Sequence, residues 1–168
     1  IVVKGELIDG SEGNGAELGH VILYPGGRTC SCGQKGCVEA YASASSTAAR
    51  AGDLLKEGQS STLQDIYKTN GERTCKDVFD HAQKGDGLTI EVVEGTAEAL
   101  ALASITMLHV TETKDIVFTG GMIAAGDFLL DKLRNLRLSS SASLQVLQYF
   151  LGSRGAFVAR QGPATRVL

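Results

Sequence analysis

The chain has 168 residues, of which 43% are hydrophobic and 21% charged, and a formal net charge of -3. These values are ordinary for a globular protein, and they provide neither a basic field for nucleic acid nor an apolar run of the roughly eighteen residues that span a bilayer. Because Trp is absent and aromatic residues make up only 5%, we expect an α/β domain with a core of Val, Ile, Leu and Ala. The expected location is the cytoplasm.

The first residues predict a hairpin. Two short apolar runs, Ile1–Val3 and Leu7–Ile8, flank a Lys4-Gly5 turn. The turn-forming segment Asp9–Gly15 follows, and a short strand is expected around His20–Tyr24. Since the chain begins inside a strand and without Met, we expect it to be a piece of a longer protein.

A group of metal-binding residue types occupies residues 20–37. Cys30, Cys32 and Cys37 follow His20, and three thiolates with one imidazole complete a tetrahedral zinc shell. A disulfide needs an oxidising compartment, and any pairing among the three thiols would leave one over. We therefore favour a structural zinc knuckle over a disulfide or free thiols, although His20 alone would more often be a buried structural histidine.

Two carboxylates accompany these residues. Glu17 precedes His20 by three positions, and Glu39 follows Cys37 by two. One metal ion would therefore fix the direction of both carboxylates, which predicts a polar binding site braced by zinc. Cys75 lies far away in a polar helical stretch, and we expect no role for it there.

Helices are predicted next along the chain. An Ala- and Ser-rich helix is expected over Glu39–Ala51, ended by Gly52. Residues 53–85 predict two short surface helices. Residues 88–110 predict the best-defined helix, because small apolar residues recur at three- and four-residue steps; Gly95 is its weak point. A capping role is expected for His109 near its C-terminus.

Asp115–Thr119 predicts a buried strand that runs into Gly120 and Gly121, and an amphipathic helix from Ala124 to Leu136. Paired glycines between a strand and a helix let backbone amides approach a nucleotide closely, but a tight turn would need the same glycines. In the tail, Leu144–Leu151 is compatible with a strand or a helix, and Gly152–Gly155 predicts a turn before a helix start.

Two of these motifs resemble those of the ROK family, the group of repressors, open reading frames and sugar kinases. The first is Glu17-x-x-His20 followed by Cys30-x-Cys32-Gly33-x-x-Gly36-Cys37-x-Glu39-Ala40-Tyr41-Ala42-Ser43. The second is Ile116-Val117-Phe118-Thr119-Gly120-Gly121, which is similar to the family's adenosine-side motif. The tail matches only weakly.

The resemblance implies an actin-like, ribonuclease H-like ATPase fold in which a sugar lies between two lobes and ATP enters from the other side. Residues 1–168 would be mostly the C-terminal lobe, with a zinc knuckle at 20–37. By similarity His20, Cys30, Cys32 and Cys37 hold zinc, while Glu17, His20 and Glu39 bind hexose hydroxyls. Gly120 and Gly121 would lie against the nucleotide.

The family's phosphate loop and its Asn-Asp pair, whose Asp is the catalytic base, have no counterpart in this sequence. The resemblance places both in an N-terminal lobe that we expect to be missing, so we assign no catalytic residue here and expect the chain alone to be inactive. The parent protein would be an ATP-dependent hexose kinase that uses Mg, acting on glucose at the 6-hydroxyl, with N-acetylmannosamine kinases as close neighbours. Such a kinase is expected to bind neither nucleic acid nor membrane and to form a homodimer. The alternatives are a sugar-sensing repressor of the same family and a degenerate fragment without function.

Overall fold

The computed structural model describes residues 1–66, 73–112, 115–135, 147–152 and 156–161. The elements in chain order are β1 (Val2–Val3), β2 (Glu6–Leu7), α1 (Glu39–Ala42), α2 (Ala44–Lys56), α3 (Cys75–Gln83), α4 (Gly87–Thr111), β3 (Asp115–Phe118), α5 (Asp127–Asn135), β4 (Leu147–Gly152) and β5 (Ala156–Gln161). Two 3-10 turns, Leu18–His20 and Gly121–Ala125, precede α1 and α5 respectively. Among these described residues, no helix combines the length and the apolar character needed to cross a membrane.

The predicted N-terminal hairpin is confirmed. Strands β1 and β2 pair antiparallel, with Val2 opposite Leu7. At the turn, Lys4 has a φ of 54° and Gly5 a φ of 86°, which are the left-handed values that match the twist of a two-residue hairpin. Val2 and Leu7 are 66% and 69% exposed, so the hairpin contributes little to the core.

The core is built around α4. This 25-residue helix confirms the prediction for residues 88–110, and α1, α2, α3 and α5 all pack against it. The principal core consists of buried aliphatic and aromatic side chains: Ala51, Leu63, Val78, Phe79, Ala82, Leu88, Val92, Val93, Ala97, Ala101, Leu129, Leu130 and Leu133. Helix α4 is therefore the scaffold against which the other helices are positioned.

The single helix predicted for Glu39–Ala51 is wrong at Ser43. That residue has an extended backbone, φ -74° and ψ 158°, and its hydroxyl accepts a hydrogen bond from the Ser46 N–H at 3.1 Å. Serine stabilises a helix start in this way, so the segment divides into α1 and α2. Gly52 does not end α2 but lies inside the helix. Glycine suits this position because a Cβ there would collide with the guanidinium of Arg73.

The two surface helices predicted for residues 53–85 are only partly correct. α2 extends into this range, and α3 begins with a capping box between Thr74 and Asp77. As predicted for a surface helix, α3 buries its apolar contacts Val78 and Phe79, while Lys76 of the same helix is exposed. Residues 67–72 lie outside the described residues.

Three local predictions between residues 18 and 136 are wrong. The strand expected at His20–Tyr24 is replaced by a 3-10 turn and the isolated bridge Ile22–Cys37, because the knuckle glycines turn the chain before a ladder can extend. The strand β3 is not buried throughout, since Val117 is 51% exposed. The following helix starts at Asp127 rather than Ala124, after the 3-10 turn, and Leu136 lies outside the described residues.

The C-terminal strands form an antiparallel sheet in the order β3-β5-β4. Ile116 of β3 lies opposite Ala159 of β5, and Tyr149 of β4 also lies opposite Ala159. The helix start predicted after Gly155 is therefore wrong. Backbone pairing with β3 on one side and β4 on the other fixes the extended conformation of β5.

Candidate metal centre and its surroundings

His20, Cys30, Cys32 and Cys37 converge in the structure as the sequence predicted. Their ligand atoms all lie within 4.8 Å of one another. The Cys32 and Cys37 Sγ atoms are 3.8 Å apart, and Cys30 Sγ lies 3.6 Å from His20 Nδ1. All three cysteines are free thiols, so the disulfide alternative is not what the structure contains.

These separations fit a tetrahedral zinc ion. Zinc–sulfur bonds of about 2.3 Å and zinc–nitrogen bonds of about 2.0 Å place two sulfurs about 3.8 Å apart and a sulfur and a nitrogen about 3.5 Å apart. The observed spacings of 3.8 Å and 3.6 Å agree with these values. These two pairs could therefore bind zinc as they stand, whereas a pair near the 4.8 Å limit of the group would draw together by about 1 Å.

Tight backbone turns bring the ligands together. The Cys30 N–H donates to the Gln34 carbonyl at 2.8 Å, and the Gly36 N–H donates to the Arg28 carbonyl at 2.8 Å. Gly36 has a φ of 88°, and a Cβ there would collide with the Tyr24 carbonyl. Only glycine fits this position, which explains its place one residue before Cys37.

Two thiols of the group have opposite acid–base character. A hydrogen bond from the backbone N–H of Cys32 lowers the pKa of Cys30 to about 7. Burial raises the pKa of Cys37 to about 11. Since a thiol binds metal as its thiolate, Cys37 would lose its proton when the metal binds.

Glu39 lies directly beside this group of ligands. Its Oε1 accepts a hydrogen bond of 2.6 Å from the Ser31 hydroxyl and lies 3.9 Å from Cys30 Sγ. Gly19 faces the same carboxylate, because a Cβ at Gly19 would be 3.6 Å from Glu39 Oε2. Ser31, which lies between two of the proposed ligands, therefore orients Glu39, whereas an orienting role of the metal ion itself stays a prediction.

Glu17 and His20 are joined by the 3-10 turn. The His20 N–H donates to the Glu17 carbonyl at 3.1 Å, and the Glu17 side chain is exposed. The His20 ring presents Nδ1 to Cys30, so its Nε2 belongs to the opposite edge of the ring. Both residues border the segment that contains Gly19 and faces Glu39.

Gly120 and Gly121 form the turn expected after β3. Gly120 has φ 96° and ψ -176°, a conformation that is essentially restricted to glycine. A Cβ at either residue would meet no atom within 4 Å. The turn is therefore open to the close approach of another molecule along its backbone.

A cavity of about 370 Å³ lies beside Glu39. Its walls come from the turn before the knuckle, from α1 and Ser43, from α4 and from β3: Leu18, Gly19, Val38, Glu39, Ala42, Ser43, Leu100, Ala103, Ser104, Met107, Ile116, Val117 and Phe118. Glu39 provides a carboxylate at one wall, and β3 leads from another wall to Gly120. Glu39 thus lines the cavity, whereas Gly120 and Gly121 follow the strand that forms another of its walls.

The sequence did not reveal Ser31, Tyr41 or Arg50. Ser31 binds Glu39, the Tyr41 hydroxyl accepts a hydrogen bond from the Arg28 N–H at 2.8 Å, and Arg50 binds the Tyr41 carbonyl. For Arg50 a signal existed, because it is the one cation within the Ala- and Ser-rich run from Ala42 to Ala51. Tyr41 stands in the motif that resembles the ROK family, but no role was assigned to it, and Ser31 carries no comparable signal.

With this geometry established, comparisons with known proteins identify the family. The ROK family profile matches residues 1–161, so the chain belongs to the ROK family. The chain is 34% identical over 134 residues to the glucokinase of Thermotoga maritima, an alignment that covers 80% of this chain and 42% of that protein. It is also 30% identical over 135 residues to the DNA-binding transcriptional dual regulator NagC of Escherichia coli K12, covering 80% of this chain and 32% of the regulator.

A solved structure agrees with the assignment of the fold. The ROK family glucokinase from Streptomyces griseus, crystallised with glucose and AMPPNP, superposes with a TM-score of 0.60 at 21% identity. The match covers 77% of this chain and 43% of that one. The fold is therefore that of part of a ROK family protein, and the chain spans less than half the length of these relatives.

Proposed function

We propose that this chain belongs to an ATP-dependent hexose kinase that phosphorylates glucose at the 6-hydroxyl. The observation that carries the proposal is the position of Glu39, whose carboxylate is held at 2.6 Å by Ser31 beside the four candidate ligands. Carboxylates accept hydrogen bonds from sugar hydroxyls. Glu17 and His20 border the same place and are the other proposed hexose ligands.

Zinc would have a structural role in this proposal. His20, Cys30, Cys32 and Cys37 would hold it, and the spacings of their ligand atoms support the assignment. With Nδ1 facing the ligand group, the His20 ring would keep its Nε2 for a hexose hydroxyl, and the fixed ring would direct it. The same residue would thus serve the metal and the sugar.

Gly120 and Gly121 are the proposed nucleotide-side residues. Their open backbone supports this role, and the Streptomyces griseus glucokinase was crystallised with AMPPNP. Magnesium would accompany ATP in the whole protein. We place the protein in the cytoplasm, where ATP and hexoses are available, and propose a homodimer without nucleic-acid or membrane partners.

The second candidate is a sugar-responsive repressor. The similarity to NagC favours it, at 30% identity against 34% for the glucokinase. A repressor would need the proposed sugar residues but not ATP turnover. The open glycine turn after β3 supports the kinase, because a protein that only senses sugar does not need a nucleotide-side turn.

The test uses the complete gene product and a coupled assay for ADP. We expect phosphorylation of glucose that depends on ATP and Mg, with a kcat of about 1–100 s⁻¹, as is typical of kinases. Glucose binding without ATP turnover, together with sugar-dependent release of DNA, would instead establish the repressor. Absence of hexose binding would reject both functions.

A further inference from the structure

Arg50 crosses from α2 to α4 at a glycine. Its guanidinium lies against Gly95, where a Cβ would collide with Nη2. Gly95 is therefore more than a weak point of the helix, because it makes the room that the Arg50 side chain occupies. A glycine in a helix interior costs about 1 kcal/mol relative to alanine. Helix α4 is therefore less stable with Gly95 than it would be with alanine at this position.

The Arg50 guanidinium stabilises the corner between α1 and α2. Nη1 donates to the Tyr41 carbonyl at 2.9 Å and to Thr96 Oγ1 at 3.2 Å. The last carbonyls of a helix have no partner within that helix, and Tyr41 is near the end of the single-turn α1. Thr47 supports the same corner, with its hydroxyl donating to the Ser43 carbonyl at 2.8 Å.

Tyr41 connects this corner to the knuckle. Its hydroxyl accepts from the Arg28 N–H at 2.8 Å, and Gly27 is required beside it because a Cβ there would collide with the hydroxyl. The Tyr41 ring also contacts the Tyr24 ring edge-on, with centroids 4.7 Å apart. One side chain thus joins α1 to both sides of the loop that precedes Cys30.

The short helix α1 is consequently held at both ends. Ser31 binds Glu39 at its start, and Arg50 binds the Tyr41 carbonyl near its end. We propose that Arg50 is a positioning residue, which acts through Tyr41 to fix the Glu39 carboxylate relative to the four candidate ligands. The effect on sugar affinity rests on the function proposed above, whereas the effect on the geometry of the knuckle does not.

The sharpest test is Gly95→Ala, with Gly87→Ala as its control. Both changes add one methyl group to α4, but a Cβ at Gly87 meets nothing within 4 Å. Alanine favours the helix, so Gly95→Ala should displace Arg50 without unfolding the protein. In the zinc-loaded chain we expect the Arg28 amide to exchange at least about tenfold faster than in the control, since its hydrogen-bond acceptor is released.

Two further variants separate charge from geometry. Arg50→Met removes the guanidinium, and Arg50→Lys keeps the charge but lacks the planar fork. We expect unchanged zinc content in both, fast exchange at Arg28 in Arg50→Met, and partial recovery in Arg50→Lys. Lys76→Met removes an exposed cation whose partner is Asp80 on α3 and should leave the Arg28 amide protected. These variants also decide the matter if Gly95→Ala fails to fold.

Glucose calorimetry on the complete protein completes the experiment. We expect Gly95→Ala and Arg50→Met to weaken glucose binding by about tenfold, which corresponds to about 1.4 kcal/mol. Unchanged Arg28 exchange in both variants would overturn the positioning role. If the wild-type protein binds no glucose, the proposed function fails, and the exchange of the Arg28 amide alone decides this inference.

Discussion

At the scale of single residues, the candidate centre combines thiols whose pKa values are shifted in opposite directions. Cys30 has a pKa of about 7, so a large share of it is thiolate near neutral pH, whereas Cys37 has a pKa of about 11. Three thiolates in so small a volume would repel one another without a cation. A bound zinc ion would remove this repulsion, and its binding free energy would stabilise the fold of the knuckle.

Replacing Cys32 by Ser removes an exposed ligand without changing the core. We expect loss of zinc and faster amide exchange over residues 17–39, because structural metal binding is coupled to local folding. Elemental analysis of the purified variant measures the metal. Cys75→Ser is the control, since Cys75 lies outside the ligand group, and it should retain zinc. Retention of a full equivalent of zinc by Cys32→Ser would remove that residue from the centre.

Replacing Glu39 by Gln keeps the size of the side chain and removes its charge. Hydrogen bonds to charged groups contribute about 1.5–3 kcal/mol, so glucose affinity of the complete protein should fall about tenfold to a hundredfold. Zinc content should not change, because Glu39 is not one of the four ligands. Calorimetry measures both affinities, and equal values would exclude Glu39 from the sugar site.

At the scale of elements, Asp86 anchors the start of α4. It caps the helix by accepting from the Thr89 N–H at 3.0 Å and also accepts from the Thr62 N–H at 2.7 Å. The Ser61 hydroxyl donates to the same carboxylate at 2.9 Å. Burial opposes the charge of Asp86, but these hydrogen bonds outweigh it and lower the pKa to about 2.

This network predicts a particular pH dependence of stability. Because the folded pKa of Asp86 lies below the unfolded value of about 3.9, its stabilisation is complete above that value and is lost as the pH falls toward 2. Asp86→Asn should lower the free energy of unfolding by about 1–2 kcal/mol at pH 7. The difference from the wild type should shrink in urea titrations at lower pH, and a constant difference would contradict this explanation.

Elements with strong local patterns could be predicted from the sequence. The small apolar face of α4 recurs at helical spacing and was predicted to within one residue at each end. The knuckle was predicted because ligand chemistry restricts which residues can meet. The roles of Gly95 and Gly52 were misinterpreted. Each glycine leaves room for a guanidinium from elsewhere in the fold, that of Arg50 at Gly95 and that of Arg73 at Gly52. Such contacts carry no local signal.

The elements that failed depend on contacts that the residue pattern does not distinguish. β5 is a strand because it pairs with both β3 and β4, and the β3 partner lies about forty residues earlier in the chain. The helix break at Ser43 depends on its hydroxyl accepting from Ser46, which an Ala- and Ser-rich run does not distinguish from a continuous helix. The convergence of the four candidate metal ligands was predicted better than the strands around them.

At the scale of the whole molecule, α4 links the proposed sugar side to the proposed nucleotide side. α1, which begins with Glu39, packs on α4, as does α5, which follows the glycine turn. The cavity of about 370 Å³ is lined by residues of α1, α4 and β3. A change in α4 would therefore alter the packing of both α1 and α5.

The purified 168-residue chain should not turn over ATP with hexose. Its sequence contains no Asp-Gly-Gly-Thr phosphate loop and no Asn-Asp pair, and phosphoryl transfer depends on positioning and charge stabilisation by such groups. A coupled assay with ATP, Mg and glucose measures this directly. Turnover at an ordinary kinase rate would show that the catalytic groups lie within these residues after all.

The central claim is that one zinc ion joins His20, Cys30, Cys32 and Cys37. X-ray absorption at the zinc edge of the purified chain tests it most directly. We expect one zinc per chain, with three sulfur neighbours at about 2.3 Å and one nitrogen at about 2.0 Å. A chain that purifies without zinc and binds none when it is supplied, or a spectrum with only oxygen and nitrogen neighbours, would contradict the account.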